Sequence, residues 1–492
     1  MPADQIHTRA SADGLRAFME TALQWLTRVC GASFFVAVAT FPIIKAEGDI
    51  NLLLIGYAPV VLAVAIVLAL VKLRALAPRA LAASPLDGVP ALVALFCLAL
   101  VLRIGALLLL DIDPVGDPAG HEQTAWNVAS GAGYVRQNGP DAHWPPGYVL
   151  FASMFYFIFG RDWHVLVMVN SVVDASTAVL VCLAARAFLA RQQAWIAGLL
   201  YALNPTMILL SQVVLYTVLL AFLFCVALFI RRRTVLLGVH IGLMSLVKPI
   251  AVPLVAIFAV DRYLSGLGLR RAVVMAATLL AVAAATVSPW TIRNYLVFDR
   301  FLPVSANGGW VLWWGNNDSA NGFMLDWSDD QKAAAGAGLI DLDRRLMHES
   351  LTWIAENKTR FLALIPIKQA YTWGTEVAAL PDLREFGPVV EQAIRGIAQT
   401  WYLVLILLTG LAMTLQTRPL ISRTEGRLIC MMIMMMWVIH SVYIGWSAYR
   451  AFLLPFLSIL AVVAVVAARR HGAPGRTKTA ADAQAVVTAP GG

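Results

Sequence analysis

Between residues 111 and 122 the chain reads Asp111-Ile-Asp113-Pro-Val-Gly-Asp117-Pro-Ala-Gly-His121-Glu122, four acids and a histidine within twelve residues. The cluster follows directly on the apolar run 89–110, so it stands where a hydrophobic segment ends. A carboxylate at such a boundary, beside a cavity, suits a general base or a metal ligand. An ordinary polar loop cap has the same composition, and the cluster alone does not separate the two. Three cations sit at comparable places. Lys248, Arg293 and Arg450 each fall where an apolar run ends or breaks. A cation there is costly unless it faces an interface, a cavity or an anion. Arg293 can grip a phosphate or carboxylate with both prongs of its guanidinium, or it can snorkel to the membrane surface.

The elements that must position these residues are membrane helices. Of the 492 residues, 60% are apolar and 13% charged, against about 45–50% and about 25% in soluble domains. A soluble enzyme, a disordered chain and a disulfide-knit secreted module are excluded; an all-α polytopic membrane protein remains. The net charge of +8 does not indicate nucleic acid. The basic residues lie in short linkers such as 186–191, 231–233, 270–271 and 418–427, which is the positive-inside pattern. The five cysteines lie in or beside apolar runs without metal spacing and read as small core hydrophobes. Residues 1–22 lack the layout of a cleaved signal peptide, so the first apolar segment is expected to stay as a membrane helix.

Hydropathy predicts a bundle of about twelve spans. Residues 1–26 form a cytoplasmic segment, 27–88 an additional N-terminal membrane hairpin, 89–468 the main membrane domain and 469–492 a disordered cytoplasmic tail. Placing the basic linkers inside puts both termini in the cytoplasm. It leaves two long outer loops, at about 111–164 and 291–397. The apolar runs 147–160 and 360–373 are short for spans, and counting the first would turn the arginine linkers outward. Both are expected as helices on the outer surface.

The loops carry recognisable motifs. Behind Asp117 follow Ala125, Asn127, Gly131, Gly133 and Tyr134, then Pro145-Pro146-Gly-Tyr148 and an apolar stretch ending Phe159-Gly160. Residues 289–294 read Pro-Trp-Thr-Ile-Arg293-Asn294, and 315–317 read Gly-Asn316-Asn317. Gly242-Leu-Met-Ser-Leu-Val-Lys248-Pro249 and Arg450-Ala-Phe-Leu-Leu-Pro455 are weaker matches. Together these resemble the C-type (GT-C) glycosyltransferase superfamily, in the branch of protein O-mannosyltransferases and the bacterial aminoarabinose transferase (glycosyltransferase family 39). The chain departs from that pattern at Pro118 and Thr217, where many members carry an acid.

The resemblance implies an integral-membrane glycosyltransferase. It would take a sugar from a polyprenyl-phosphate donor and pass it, with inversion, to a lipid, glycan or protein acceptor on the outer face of an inner membrane. Asp117 stands at the position of the family's catalytic aspartate. Arg293, Arg450, Lys248 and His143 are the candidates for the donor phosphate. Glu122, Asp113, Asn127, Tyr148, Asn294 and Asn316 are candidates for acceptor or loop support. The resemblance names no certain cofactor, and a divalent cation is left open. The aromatic residues Trp144, Trp310, Trp313, Trp314, Trp327 and Tyr134 suit sugar faces and interfacial anchoring equally. The rival reading is a transporter or lipid flippase, which would place its binding residues near the bilayer midplane. Here the polar cluster lies in the loops.

Overall fold

The structure, a computed structural model, describes residues 3–76, 88–136, 139–324 and 338–467. Trp327 and the tail 469–492 lie outside the described residues. The described residues are helical apart from turns and one short antiparallel ribbon that pairs Val135–Arg136 with Gly139–Pro140. Among the described residues, eight helices are long and apolar enough to cross a membrane. They include Ala3–Ala46, Gly88–Leu110, Trp163–Ala185, Leu269–Phe298, Pro388–Leu415 and Thr424–Val442. A helix satisfies its own backbone, which is what lipid demands. Side chains such as Leu108 and Leu109 face outward, as lipid-bathed residues do.

The four other runs expected as spans are shorter or broken. They appear as Arg191–Ala202 with Pro205–Leu210, Thr217–Ile230, Thr234–Val247 and Leu254–Leu264. The breaks have local causes. Pro205 and Pro249 lack the amide that would continue a helix. Asn204 turns its side chain to accept a hydrogen bond from the Met207 amide at 3.2 Å. The chain between these short helices is left irregular, and that irregular chain borders the candidate site.

The segment 147–160 forms the helix Pro146–Phe159. It buries Tyr148, Val149, Ala152 and Tyr156, while Met154, Phe157, Ile158 and Phe159 are exposed. An apolar exposed face on a helix this short fits one lying at the membrane surface. The segment 360–373 behaves differently. The helix Lys358–Trp373 exposes Leu362 near its start but buries Lys368, Gln369, Thr372 and Trp373, packing on Ala3–Ala46 and Thr424–Val442. Its second half is core and not surface.

Residues 27–76 also belong to the bundle. Ala3–Ala46 and Ile50–Leu76 both pack on Pro388–Leu415. A Cβ on Gly410 would stand 2.9 Å from the Gly31 carbonyl, and one on Gly31 3.1 Å from the Gly410 carbonyl. Small residues let the two backbones meet.

Among the described residues, three buried arginine–carboxylate pairs tie distant segments inside this bundle. Arg103 donates to Asp174 from Nε at 2.7 Å, and Asp174 also accepts the Tyr201 hydroxyl. Arg427 donates to Asp261 at 2.8 Å. Arg450 pairs with Glu376, both wholly buried. Charges at such depth persist only when paired and hydrogen-bonded.

Candidate functional site

A cavity of about 630 Å³ opens between the two long loops and the broken helices. Asp117 lines it as the first residue of the helix Asp117–Ala129. Gly116 precedes it at φ 63°, so the chain turns sharply into the helix there. His121 follows four residues later on the same helix face and lines the same cavity.

Lys248 reaches the cavity from the other side. It ends the helix Thr234–Val247 in an extended conformation, φ −154° and ψ 121°, because Pro249 follows it. Its ammonium donates to the Tyr216 hydroxyl and lies 4.3 Å from the ring centres of both Tyr216 and Tyr449. Among the described residues no carboxylate pairs with it at contact distance. The first loop is pressed against this point. A Cβ on Gly147 would stand 2.6 Å from the Val247 amide, so only glycine allows the approach.

The two histidines are neutral groups here. His121 is buried edge-on to Trp144, with ring centres 4.3 Å apart, and its Nδ1 has no hydrogen-bond partner. Burial holds its pKa down to about 3, helped by the charges of Arg136, His143 and Lys248. Burial also lowers His143, against the opposing pull of Asp141 and Asp117. Trp144 lies over Gly120, where an added Cβ would stand 2.0 Å from the ring. Tyr148 lines the cavity and accepts a hydrogen bond from Asn170 Nδ2 at 3.3 Å.

The second loop adds Trp310. Its helix, Gly308–Gly315, is held by Asp343, whose carboxylate accepts the amides of Gly309 at 2.8 Å and Trp310 at 3.2 Å. Burial raises the Asp343 carboxyl, and those two amides oppose the rise.

The remaining residues singled out in the sequence divide clearly. Asp113 also lines the cavity, near its exposed rim. Arg293 does not. Its guanidinium donates to the carbonyls of Asp141 and Tyr134, each at 3.1 Å, and lies 4.7 Å from the Trp290 ring centre. It ties the end of Leu269–Phe298 to the first loop. Arg450 is likewise outside the cavity walls. It donates to the carbonyls of Thr372 at 2.7 Å and Thr375 at 2.6 Å besides pairing with Glu376. Neither arginine lines the cavity; the contacts of Arg293 go to carbonyls, and those of Arg450 to carbonyls and a carboxylate.

Glu122 faces away, accepting from Arg161 Nε at 3.0 Å and Nη2 at 2.9 Å and from the Tyr156 hydroxyl at 3.1 Å. Asn127 donates to the Val135 carbonyl at 2.9 Å. Asn294 donates to the carbonyls of Leu302 at 3.0 Å and Val304 at 3.1 Å. Asn316 bridges Leu312 and Val442, each at 2.8 Å, and accepts from Lys368 at 2.9 Å. These four shape the loops and do not line the cavity.

Tyr216, Tyr449, Trp446 and Asp382 line the cavity without having been singled out as site residues. Tyr449 directly precedes Arg450, and Tyr216 lies in the segment that lacks the usual acid, so both had weak signals. Asp382 had none; Arg384 holds its carboxyl below the ordinary carboxylate range. Among the described residues no group of three or more His, Cys, Asp or Glu is placed to hold a metal ion. The arrangement brings together one carboxylate at a helix start, one cation without a contacting carboxylate, and aromatic walls. That set can deprotonate a hydroxyl on one side and receive an anion on the other.

Residues 143–330 match the model of glycosyltransferase family 87. Solved structures show more distant likeness. The oligosaccharyltransferase AglB from Archaeoglobus fulgidus, in complex with an inhibitory peptide and a dolichol-phosphate, aligns with a TM-score of 0.46 and 13% identity, over 80% of this chain and 53% of that one. The present chain thus spans about half the length of that protein. ArnT from Cupriavidus metallidurans, bound to undecaprenyl phosphate, aligns with a TM-score of 0.38 and 15% identity, over 76% of this chain and 78% of that one. No curated protein matches the sequence.

Proposed function

We propose that this chain, a member of the C-type glycosyltransferase superfamily and an integral-membrane glycosyltransferase, moves a sugar from a polyprenyl-phosphate donor to a hydroxyl acceptor, a lipid, glycan or protein, with inversion. It acts in the cell's inner membrane, with both termini in the cytoplasm and the cavity on the outer face. The arginine-rich linkers support this orientation. Those at 231–233 and 418–427 lie at the helix ends away from the cavity, as the positive-inside rule requires.

The observation that carries the reading is that Asp117 and Lys248 line one cavity from opposite elements. Asp117 accepts the proton of the acceptor hydroxyl as its oxygen attacks the anomeric carbon. The bond from that carbon to the phosphate oxygen breaks on the opposite face. Positive charge builds on the sugar ring between the two, as in glycosyl transfer generally. The departing polyprenyl phosphate gains charge, and the Lys248 ammonium receives it. Arg293 and Arg450 contribute by holding the loops.

Transfer from labelled polyprenyl-phosphate sugars, assayed in membranes of cells deleted for the protein, tests the reading. Wild type restores transfer, and Asp117→Asn lowers it at least about a hundredfold at unchanged protein level. Equal transfer by the two proteins would remove Asp117 from the chemistry.

A further inference from the structure

We propose that a second cavity, at the end of the bundle opposite the candidate site, binds a phosphate-bearing anion, either a phospholipid headgroup or free phosphate. This goes beyond the transferase reading and does not depend on it. The cavity, of about 710 Å³, lies where the Ala3–Ala46 helix passes the end of Leu254–Leu264 and the turn between Pro388–Leu415 and Thr424–Val442. The last of these helices begins at this cavity. Its 19 residues then run about 28 Å before the chain delivers Trp446 and Tyr449 to the candidate site.

Three arginines line this space: Arg16, Arg418 and Arg427. Arg427 is already neutralised by Asp261 at 2.6 Å. Arg16 and Arg418 are not, because neither has a carboxylate within ion-pair distance among the described residues. Arg16 places its guanidinium 5.5 Å from the Tyr263 ring centre, and its Nε is buried without a hydrogen-bond partner. A buried donor left unmet costs free energy that a ligand oxygen would recover. Among the described residues Glu20 is the only acid lining the cavity, so an anion meets a positive balance there.

Two guanidinium forks without acid partners are the chemistry that grips phosphate bidentately. The Thr424 hydroxyl borders the same space as an additional donor. This end also carries the arginine linkers, which places it toward the leaflet where anionic lipids gather. Basic pockets between membrane helices on that side take anionic headgroups.

Full-length protein in detergent is titrated with short-chain phosphatidylglycerol, and bound lipid is counted by native mass spectrometry. The same titration with phosphatidylcholine, and with inorganic phosphate as competitor, completes the set. Wild type binds one phosphatidylglycerol more tightly than phosphatidylcholine. The double variant R16Q/R418Q binds it about thirtyfold more weakly, at about one kcal/mol per arginine. R270Q/R271Q, which removes two arginines of the same end that do not line the cavity, leaves binding as in wild type. Competition by inorganic phosphate identifies free phosphate as the ligand, and absence of competition identifies the lipid headgroup. The proposal is overturned if phosphatidylcholine binds equally well, if R16Q/R418Q binds like wild type, or if R270Q/R271Q loses as much. The two-lipid comparison on wild type decides the matter even where the variant fails to fold.

Discussion

Lys248 sits between two tyrosine rings with one hydroxyl in reach, which fixes the ammonium without neutralising it. A phosphate arriving there would meet a cation free of any competing carboxylate contact. Lys248→Met is therefore expected to cut transfer at least about a hundredfold, mainly in kcat, since the charge is needed most when the phosphate departs. Tyr216→Phe keeps the ring and removes only the hydroxyl, so a loss of roughly tenfold or less is expected. A Tyr216→Phe loss equal to that of Lys248→Met would shift the role to the phenol. His121 gives a pH signature. Its folded pKa of about 3 lies below the ordinary 6.5, so the unfolded chain takes up a proton that the folded chain refuses. Stability present above about pH 6.5 is lost as pH falls toward 3, with a slope of at most about 1.4 kcal/mol per pH unit from this group. Melting curves at pH 7.5, 5.5 and 4.5 should show a steeper decline for wild type than for His121→Gln; parallel declines would mean His121 is not buried neutral. At this scale the sequence picks out residues that the fold brings to one cavity, but it does not say where the others point. Asp113, Asp117, His143, Tyr148 and Lys248 meet in the cavity. Arg293, Arg450 and the asparagines bind carbonyls, and no pattern of residue types announces a carbonyl partner.

The helices position the site through one close approach. Gly147 opens the helix Pro146–Phe159 directly against the backbone at Val247, the residue before Lys248. Gly147→Ala places a methyl group where backbone already stands, and the two elements must separate. Strain of about 1–3 kcal/mol is expected, with transfer reduced roughly tenfold or more in protein that still purifies as a folded monodisperse species. Unchanged transfer would show that the Lys248 position tolerates displacement of the first loop. The run 147–160 is expected on the surface because it is too short to span and charge bias forbids the flip, and it forms a helix of 14 residues with an exposed apolar face. The burial of 368–373 was not legible in the sequence. Its apolar residues look interfacial on their own, and the helices that cover them, Ala3–Ala46 and Thr424–Val442, lie far away in the chain. Tyr216 and Tyr449 went unseen for the same reason: they come from different helix breaks, and no single window contains both.

For the whole molecule, composition and hydropathy were enough to establish a polytopic helical membrane protein, because lipid leaves so few alternatives. The pairing of helices was not readable. Arg103 and Asp174 each look like isolated charges in apolar runs until the bundle brings them together. Breaking one pair should be costly. Arg103→Met leaves Asp174 buried with only the Tyr201 hydroxyl, and a loss of about 3–5 kcal/mol is expected. Adding Asp174→Leu should restore much of the melting temperature in detergent, and failure to recover would mean that Arg103 contributes more than this pairing.

The same pair constrains how the protein is made. Arg103 and Asp174 are 71 residues apart in the chain. At about 5–20 residues per second of synthesis, Arg103 waits roughly 4–14 seconds before its counter-charge emerges. For that interval the Gly88–Leu110 helix must enter the bilayer bearing a lone guanidinium, or linger at the insertion machinery until its partner helix arrives.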